Sequence, residues 1–168
     1  MDDNERAALL AEIETCKIPL VGGQVAIIDK ADLDAVSKYS WSVGGNKVGY
    51  PYARVRTHES TLFVMHRMLM DAPKGVFVDH INGNTLDNRR ANLRLCTNRE
   101  NCRNSKKRRT NKSGFKGVHF HTGIGKYVAQ IMKDYKKYHI GVFDFPEEAH
   151  EAYCTKAKEL FGEFARFE

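Results

Sequence analysis

Asp79 and His80 stand side by side in the stretch VDHINGNTLDNRRANLRLCTNRENCRN (78–104), with Asn92 and Asn101 downstream and five arginines between and around them. A carboxylate and an amide carbonyl are hard oxygen donors of the kind that hold Mg²⁺ or Mn²⁺ while leaving positions for water and a phosphate oxygen. A neutral imidazole beside such an ion takes a proton from water near neutral pH, provided an acceptor holds its other ring nitrogen; Asn92 is the candidate acceptor. The pattern points to metal-assisted hydrolysis of a phosphodiester. The same residue types also build turns, because asparagine bonds nearby backbone and tolerates left-handed geometry. On composition alone a surface histidine among turn residues is an equal reading. Asn82 and Asn84 read most simply as turn residues, and Asn88, Asn98 and Asn104 as caps and polar surface.

Charge tilts the balance. The net charge of the 168 residues is +6, but residues 89–137 carry fifteen Lys and Arg against Glu100 and Asp134, a local +13, so the remainder is −7. Such asymmetry is the footprint of a protein that neutralises phosphates. Arg67, Arg94 and Arg103 are candidate phosphate clamps, and Lys106, Lys107, Arg108 and Arg109 candidate backbone contacts. Four cysteines (Cys16, Cys96, Cys102, Cys154) form no CxxC pair, so reduced thiols are expected and no zinc. The longest apolar runs are too short to cross a bilayer and the start is acidic, which predicts a cytoplasmic protein with no membrane partner.

The elements that must position these residues are legible from periodicity. A short amphipathic helix is predicted over the first fifteen residues, then two strands around Gly22-Gly23 and a helical turn capped by Asp29 or Asp32 that buries Leu33, Val36 and Trp41. YPYARVRT and STLFVMHRMLM read as strands joined at His58–Ser60, the second passing into a helix over His66–Met70. Around the candidate site the order is a strand at Val76–Val78, a polar loop with an Asn82-Gly83 turn, a strand at Leu93–Cys96, and a helix opened by a Thr97/Glu100 capping box. RNSKKRRTNKS reads as a basic linker. The final segment shows three alternating runs with turns at Thr122–Gly125 and Lys133–Lys137, then a helix from Pro146 with Ala149, Ala152, Tyr153, Ala157 and Leu160 on one face. Phe120, Tyr138 and Phe143 are assigned to core or edge packing. The class is α+β.

The order LFVMHRMLMDAPKGVFVDHINGNTLDNRRANLRLCTNRENCRN (62–104) closely resembles the HNH endonucleases, the ββα-metal nucleases found among phage homing enzymes. The resemblance implies that Asp79 and Asn101 bind the divalent cation, that His80 is the general base and that Asn92 orients it. His66, in MHRM, matches a recurrent upstream feature and is read as structural support beneath the metal loop. With asparagine in the last position, the variant looks like the phage homing branch.

Residues 113–167 resemble the AP2 DNA-binding domain through GV, GKYVAQI and IGVFDFPEEAHEAY. That domain lays a three-stranded sheet in the major groove of DNA. The positions predicted to face outward are Lys116, His119, His121, Lys126, Tyr127, Gln130 and Lys133. The expected organisation is an N-terminal α+β region (1–61), an HNH module (62–104), a basic linker (105–112) and the AP2-like domain (113–168). The expected protein is a phage-encoded endonuclease acting on double-stranded DNA in a bacterial host, as a monomer or weak dimer. The alternative is a non-catalytic DNA-binding regulator with a degenerate nuclease module.

Overall fold

The computed structural model describes residues 14–45, 51–56, 62–107 and 110–167. The helix expected over the first fifteen residues, the His58–Ser60 turn, Arg108 and Arg109 lie outside them almost entirely or altogether. The chain divides into two compact units, Met1–Thr97 and Asn98–Glu168, and is α+β in both.

The first unit begins with an antiparallel hairpin of β1 (Thr15–Pro19) and β2 (Val25–Asp29), turned through Gly22 and Gly23 at φ of 113° and 81°. A 3-10 turn (Lys30–Asp32) leads into α1 (Leu33–Val36). Neither Asp29 nor Asp32 caps this turn with its side chain; both carboxylates serve a distant arginine instead, as described below. Next come β3 (Ser42–Gly45), β4 (Pro51–Arg56) and β5 (Leu62–Val64), an antiparallel sheet in that order, and then α2 (Met65–Leu69). Strand β3 was not expected, because two of its four residues are glycine. It forms by pairing Ser42–Gly45 with Pro51–Arg54, where a Cβ on Gly44 would sit 2.5 Å from the Arg54 side chain.

The last pair of this unit is β6 (Phe77–His80) with β7 (Leu93–Cys96), in the register Asp79↔Arg94 and His80↔Leu93. The first strand starts later than expected because Gly75, at φ 90°, and the Val76 N–H to Pro73 carbonyl bond close a turn there. That shift carries Asp79 and His80 into the ladder. One core joins these pieces: Ala26, Ile28, Val36, Trp41, Ala53, Met65, Leu69, Val78 and Leu93 are buried together. Trp41 is tolerated there because its indole N–H donates to the Val36 carbonyl at 2.9 Å. The expected boundary at 61/62 therefore falls inside a shared core.

The second unit starts with α3 (Asn98–Arg103), which places Thr97 at the capping position. It continues with β8 (Val118–His121), β9 (Lys126–Lys133) and β10 (Lys136–Phe143), an antiparallel sheet in the order β10-β9-β8, and closes with α4 (Pro146–Phe161). Pro146 opens α4 with Glu147 and Glu148 in its first turn, as helix polarity favours. Ala149, Tyr153 and Ala157 of α4 are buried with Val118, Ala129 and Ile131 of the sheet. Gly117, at φ 77°, permits this contact: a Cβ there would lie 2.0 Å from the Tyr153 ring. Among the described residues no helix is long and apolar enough to cross a membrane, and all four cysteines are free thiols.

Candidate active site

The loop 81–92 joins β6 to β7, and almost every polar group in it is spent on holding its shape. From outside, β2 grips it through an isolated parallel bridge between Ile27 and Asp87. The Ile27 N–H donates to the Leu86 carbonyl at 2.8 Å, and the Ile27 carbonyl accepts the Asn88 N–H at 2.7 Å. Asp29 accepts the Arg90 N–H at 2.7 Å, while Asp32 accepts its guanidinium at 3.0 and 2.8 Å. The carboxylates read as helix caps are thus anchors for the far end of the loop.

Inside the loop, Asp87 is buried and accepts from the Asn82 amide at 2.9 Å and from Arg89 at 2.8 and 2.7 Å. The Arg89 hydrogen bonds hold its carboxyl below the usual carboxylate range, against the opposing effect of burial. Asn92 braces the same loop. Its Oδ1 accepts the Asn82 N–H at 2.9 Å and its Nδ2 donates to the Asp87 carbonyl at 2.7 Å.

The sequence placed Asn92 on the His80 ring, and here the structure differs. Asn92 closes a 3-10 turn (Arg90–Asn92) just before Leu93, the ladder partner of His80, and both ends of its amide are taken up within the loop. The amide at the ring is that of Asn88, whose Oδ1 lies 3.4 Å from His80 Nε2. Asn88 is fully buried, not the surface or cap residue expected. Its Nδ2 donates to the Leu86 carbonyl at 3.1 Å, so the oxygen faces the imidazole. Residue type alone could not separate Asn88 from its neighbours. The usable signal was loop length, since a connection this long between two paired strands needs internal anchors.

His80 is buried at the end of β6. Burial lowers its pKa below the ordinary 6.5, only partly offset by the Asn88 hydrogen bond and by the Asp79 and Asp87 charges. The ring is therefore neutral at pH 7. His66, on α2, meets it edge to face, with ring centroids 4.9 Å apart. Burial, then the His80 and Arg67 charges, bring His66 down to about 3, and its Nδ1 is buried without a hydrogen-bond partner. Asp79, also buried, receives Arg94 Nε and Nη2 on its Oδ2 at 2.9 and 2.7 Å. Arg94 is thus committed to Asp79 rather than held out as a phosphate clamp. Arg67 is likewise spent, donating to the carbonyls of Ala72, Pro73 and Val76 and so closing the turn before β6.

A sequence profile of HNH endonucleases matches residues 71–103, the span from that turn through α3. An uncharacterised HNH endonuclease of Acanthamoeba polyphaga mimivirus is 33% identical over 85% of this chain and 74% of its own length. The chain belongs to the HNH endonuclease family. Protein 3.8 of Escherichia phage T7 is 36% identical over 56% of this chain and 78% of its own length. A putative HNH homing endonuclease from the SPbeta prophage of Bacillus subtilis is 36% identical over 34% of this chain and 35% of its own length. No solved structure matches.

In this HNH endonuclease the remaining candidate residues lie in the second unit. Asn101 is half-buried on α3. Arg103 lies over the Phe161 ring at 4.9 Å. Lys106 and Lys107 are exposed, the latter donating to the Gly114 carbonyl. Lys116 does not point outward from the sheet. Its Nζ donates to the Arg103 and Ser105 carbonyls at 3.1 and 2.6 Å, and burial lowers it to about 8. On the sheet, His119↔Val128, His121↔Lys126 and Gln130↔His139 are register pairs. His119, His121, Lys126 and Gln130 therefore share one face, joined by His139, which the sequence reading missed. Tyr127 and Lys133 fall on the opposite face with Ala129 and Ile131, because side chains alternate along β9. Phe120 lies at the edge, half exposed and against Tyr127, while Tyr138 and Phe143 pack on the core.

Proposed function

We propose that this endonuclease hydrolyses a phosphodiester of double-stranded DNA at a selected site, with a divalent cation, Mg²⁺ or Mn²⁺, and His80 as general base. The observation that carries the reading is the setting of His80: buried at the end of β6 and held through Nε2 by an amide oxygen whose own sense is set by Leu86. An acceptor at Nε2 holds the ring in one orientation and favours the proton on that nitrogen. Asn88 is in this reading the positioning residue. Asn92, Asp87 and Arg89 keep the loop that carries it in shape, and His66 packs the ring from the side.

The donor chemistry fits a hard cation. Asp79 supplies a carboxylate beside the base, and Asn101, by its place in the family pattern His80, Asn92, Asn101, an amide oxygen. Such an ion, when bound, offsets the charge that develops on the phosphate. Arg94 fixes the Asp79 carboxylate in direction and lowers the cost of burying it.

The homing character and the phage origin are supported by the likeness to phage and prophage proteins. The AP2-like reading of residues 113–167 makes the His119, His121, Lys126, Gln130 and His139 face the DNA-reading surface. A three-stranded sheet fits the major groove.

A second reading, a DNA-binding regulator that does not cut, is favoured by the Arg94 pair, which already neutralises the proposed metal ligand. Plasmid nicking separates the two. With Mg²⁺ or Mn²⁺ the wild type is expected to convert supercoiled DNA to nicked or linear forms. His80→Ala should abolish this while keeping duplex binding in EDTA. Asn88→Ala should cut about 10²-fold more slowly with substrate affinity unchanged. Undiminished cutting by His80→Ala sinks the base assignment.

A further inference from the structure

The turn between β9 and β10 is made by Asp134 and Tyr135, both left-handed at φ of 49° and 64°. Two-residue hairpin turns of this kind favour glycine at the second position, where a side chain strains the backbone. Tyrosine there is not compensated by packing: Tyr135 is 89% exposed and belongs to neither hydrophobic cluster of the unit. A tyrosine held in a left-handed turn with its ring largely exposed is an observation that asks for a ligand.

Its surroundings state the ligand's charge. The Arg99 guanidinium lies 5.9 Å from the ring centroid. A trough of about 860 Å³ opens beside it within the same unit, walled by Arg103, Lys106, Lys107, Lys133 and Lys137. Its lining includes Val118, Ile131 and Phe161, and Asp134, the one acid among its described residues, is approached by Arg99 and Arg103 at 3.4 and 3.8 Å. Cationic walls that track phosphates and an aromatic face that stacks a base are the two requirements of single-strand binding. Bases inside an intact duplex are already stacked on one another and offer no such face.

We infer that the trough is a subsite for unpaired DNA, with a base stacked on Tyr135 and the flanking phosphates on Lys133, Lys137 and Arg99. The inference rests on the endonuclease reading for its source of unpaired strand, which is the end freed by cleavage.

The test uses the full chain in EDTA, titrated into a fluorescent oligothymidylate of about 15 nucleotides and, separately, into a blunt duplex of the same length. Tyr135→Gly suits it because glycine relieves the turn, so the variant should melt no lower than the wild type. It is expected to bind the single strand about tenfold more weakly and the duplex as before, while Tyr135→Trp retains single-strand binding. Equal single-strand affinity in Tyr135→Gly and wild type overturns the inference. So does tighter binding of a single-stranded RNA of that length than of the DNA. A wild type that cuts duplex but ignores single strands overturns the subsite and leaves the endonuclease reading standing. One that binds single strands through Tyr135 but never cuts supports the subsite and overturns that reading.

Discussion

The loop around His80 and the outer face of the β8–β10 sheet are both rich in polar side chains, yet they use them in opposite ways. Around His80, Asp79, Asp87, Asn88 and Asn92 are all buried, and each carries two or more hydrogen bonds to named partners. On the sheet, His119, His121, Lys126 and His139 are exposed, and Lys126 makes a solvent-facing pair with Asp144. Buried polar networks hold atoms to a fraction of an ångström but fail badly when one member is lost. Exposed charges hold nothing in place and are individually dispensable. On the proposed reading, proton transfer at His80 draws on the first property and following a phosphate backbone on the second.

The contrast is broken most forcefully at Arg94. Arg94→Ala leaves the Asp79 carboxylate buried without its guanidinium, and a loss of about 3–5 kcal/mol of stability is expected in urea unfolding. A change below about 1 kcal/mol would mean that the ion pair behaves like a surface one.

Acid comes next. His66 is held at about 3 and His80 is lowered in the same direction, so the unfolded chain binds more protons than the folded one between about pH 6.5 and 3. Stability therefore falls as pH drops through that window. His66 alone contributes a slope approaching about 1.4 kcal/mol per pH unit. Unfolding free energies measured across pH 7 to 4 on wild type and His66→Phe should differ in slope, the variant being flatter. Parallel slopes would remove His66 from the account.

The smallest effects belong to the sheet. Lys126→Ala should change stability by less than about 0.5 kcal/mol and, on the AP2-like reading, reduce the log–log salt slope of duplex binding by about 0.9. An unchanged slope would show that this face does not touch phosphate.

Much of this was readable from the chain. The strand at Leu93–Cys96, the three alternating C-terminal runs and the Pro146 helix follow from period, turn residues and capping, all of which are local. Asp79 and His80 were readable as candidates because the residue types themselves carry the chemistry, and both are buried at the end of β6. What could not be read depends on partners far along the chain. Asn88 differs from Asn84 only in that β2 lies against it, and Asp29 and Asp32 look like helix caps until Arg90 is brought to them. Arg94 and Arg67 look like phosphate clamps for the same reason: a charge says nothing of whether its counter-charge lies in the protein or in the ligand. Strand β3, half glycine, gave no periodic signal at all.

The Asp29–Arg90 bond joins residues 61 apart, and the Ile27–Asp87 bridge is nearly as long-range. Closing contacts of that span is slow relative to forming local turns. The loop 81–92 therefore takes its final shape only once β2 lies against it. The amide beside His80 is thus held in place by contacts made far along the chain, so this candidate site is completed with the long-range closure of the unit and not with the local turn that carries it.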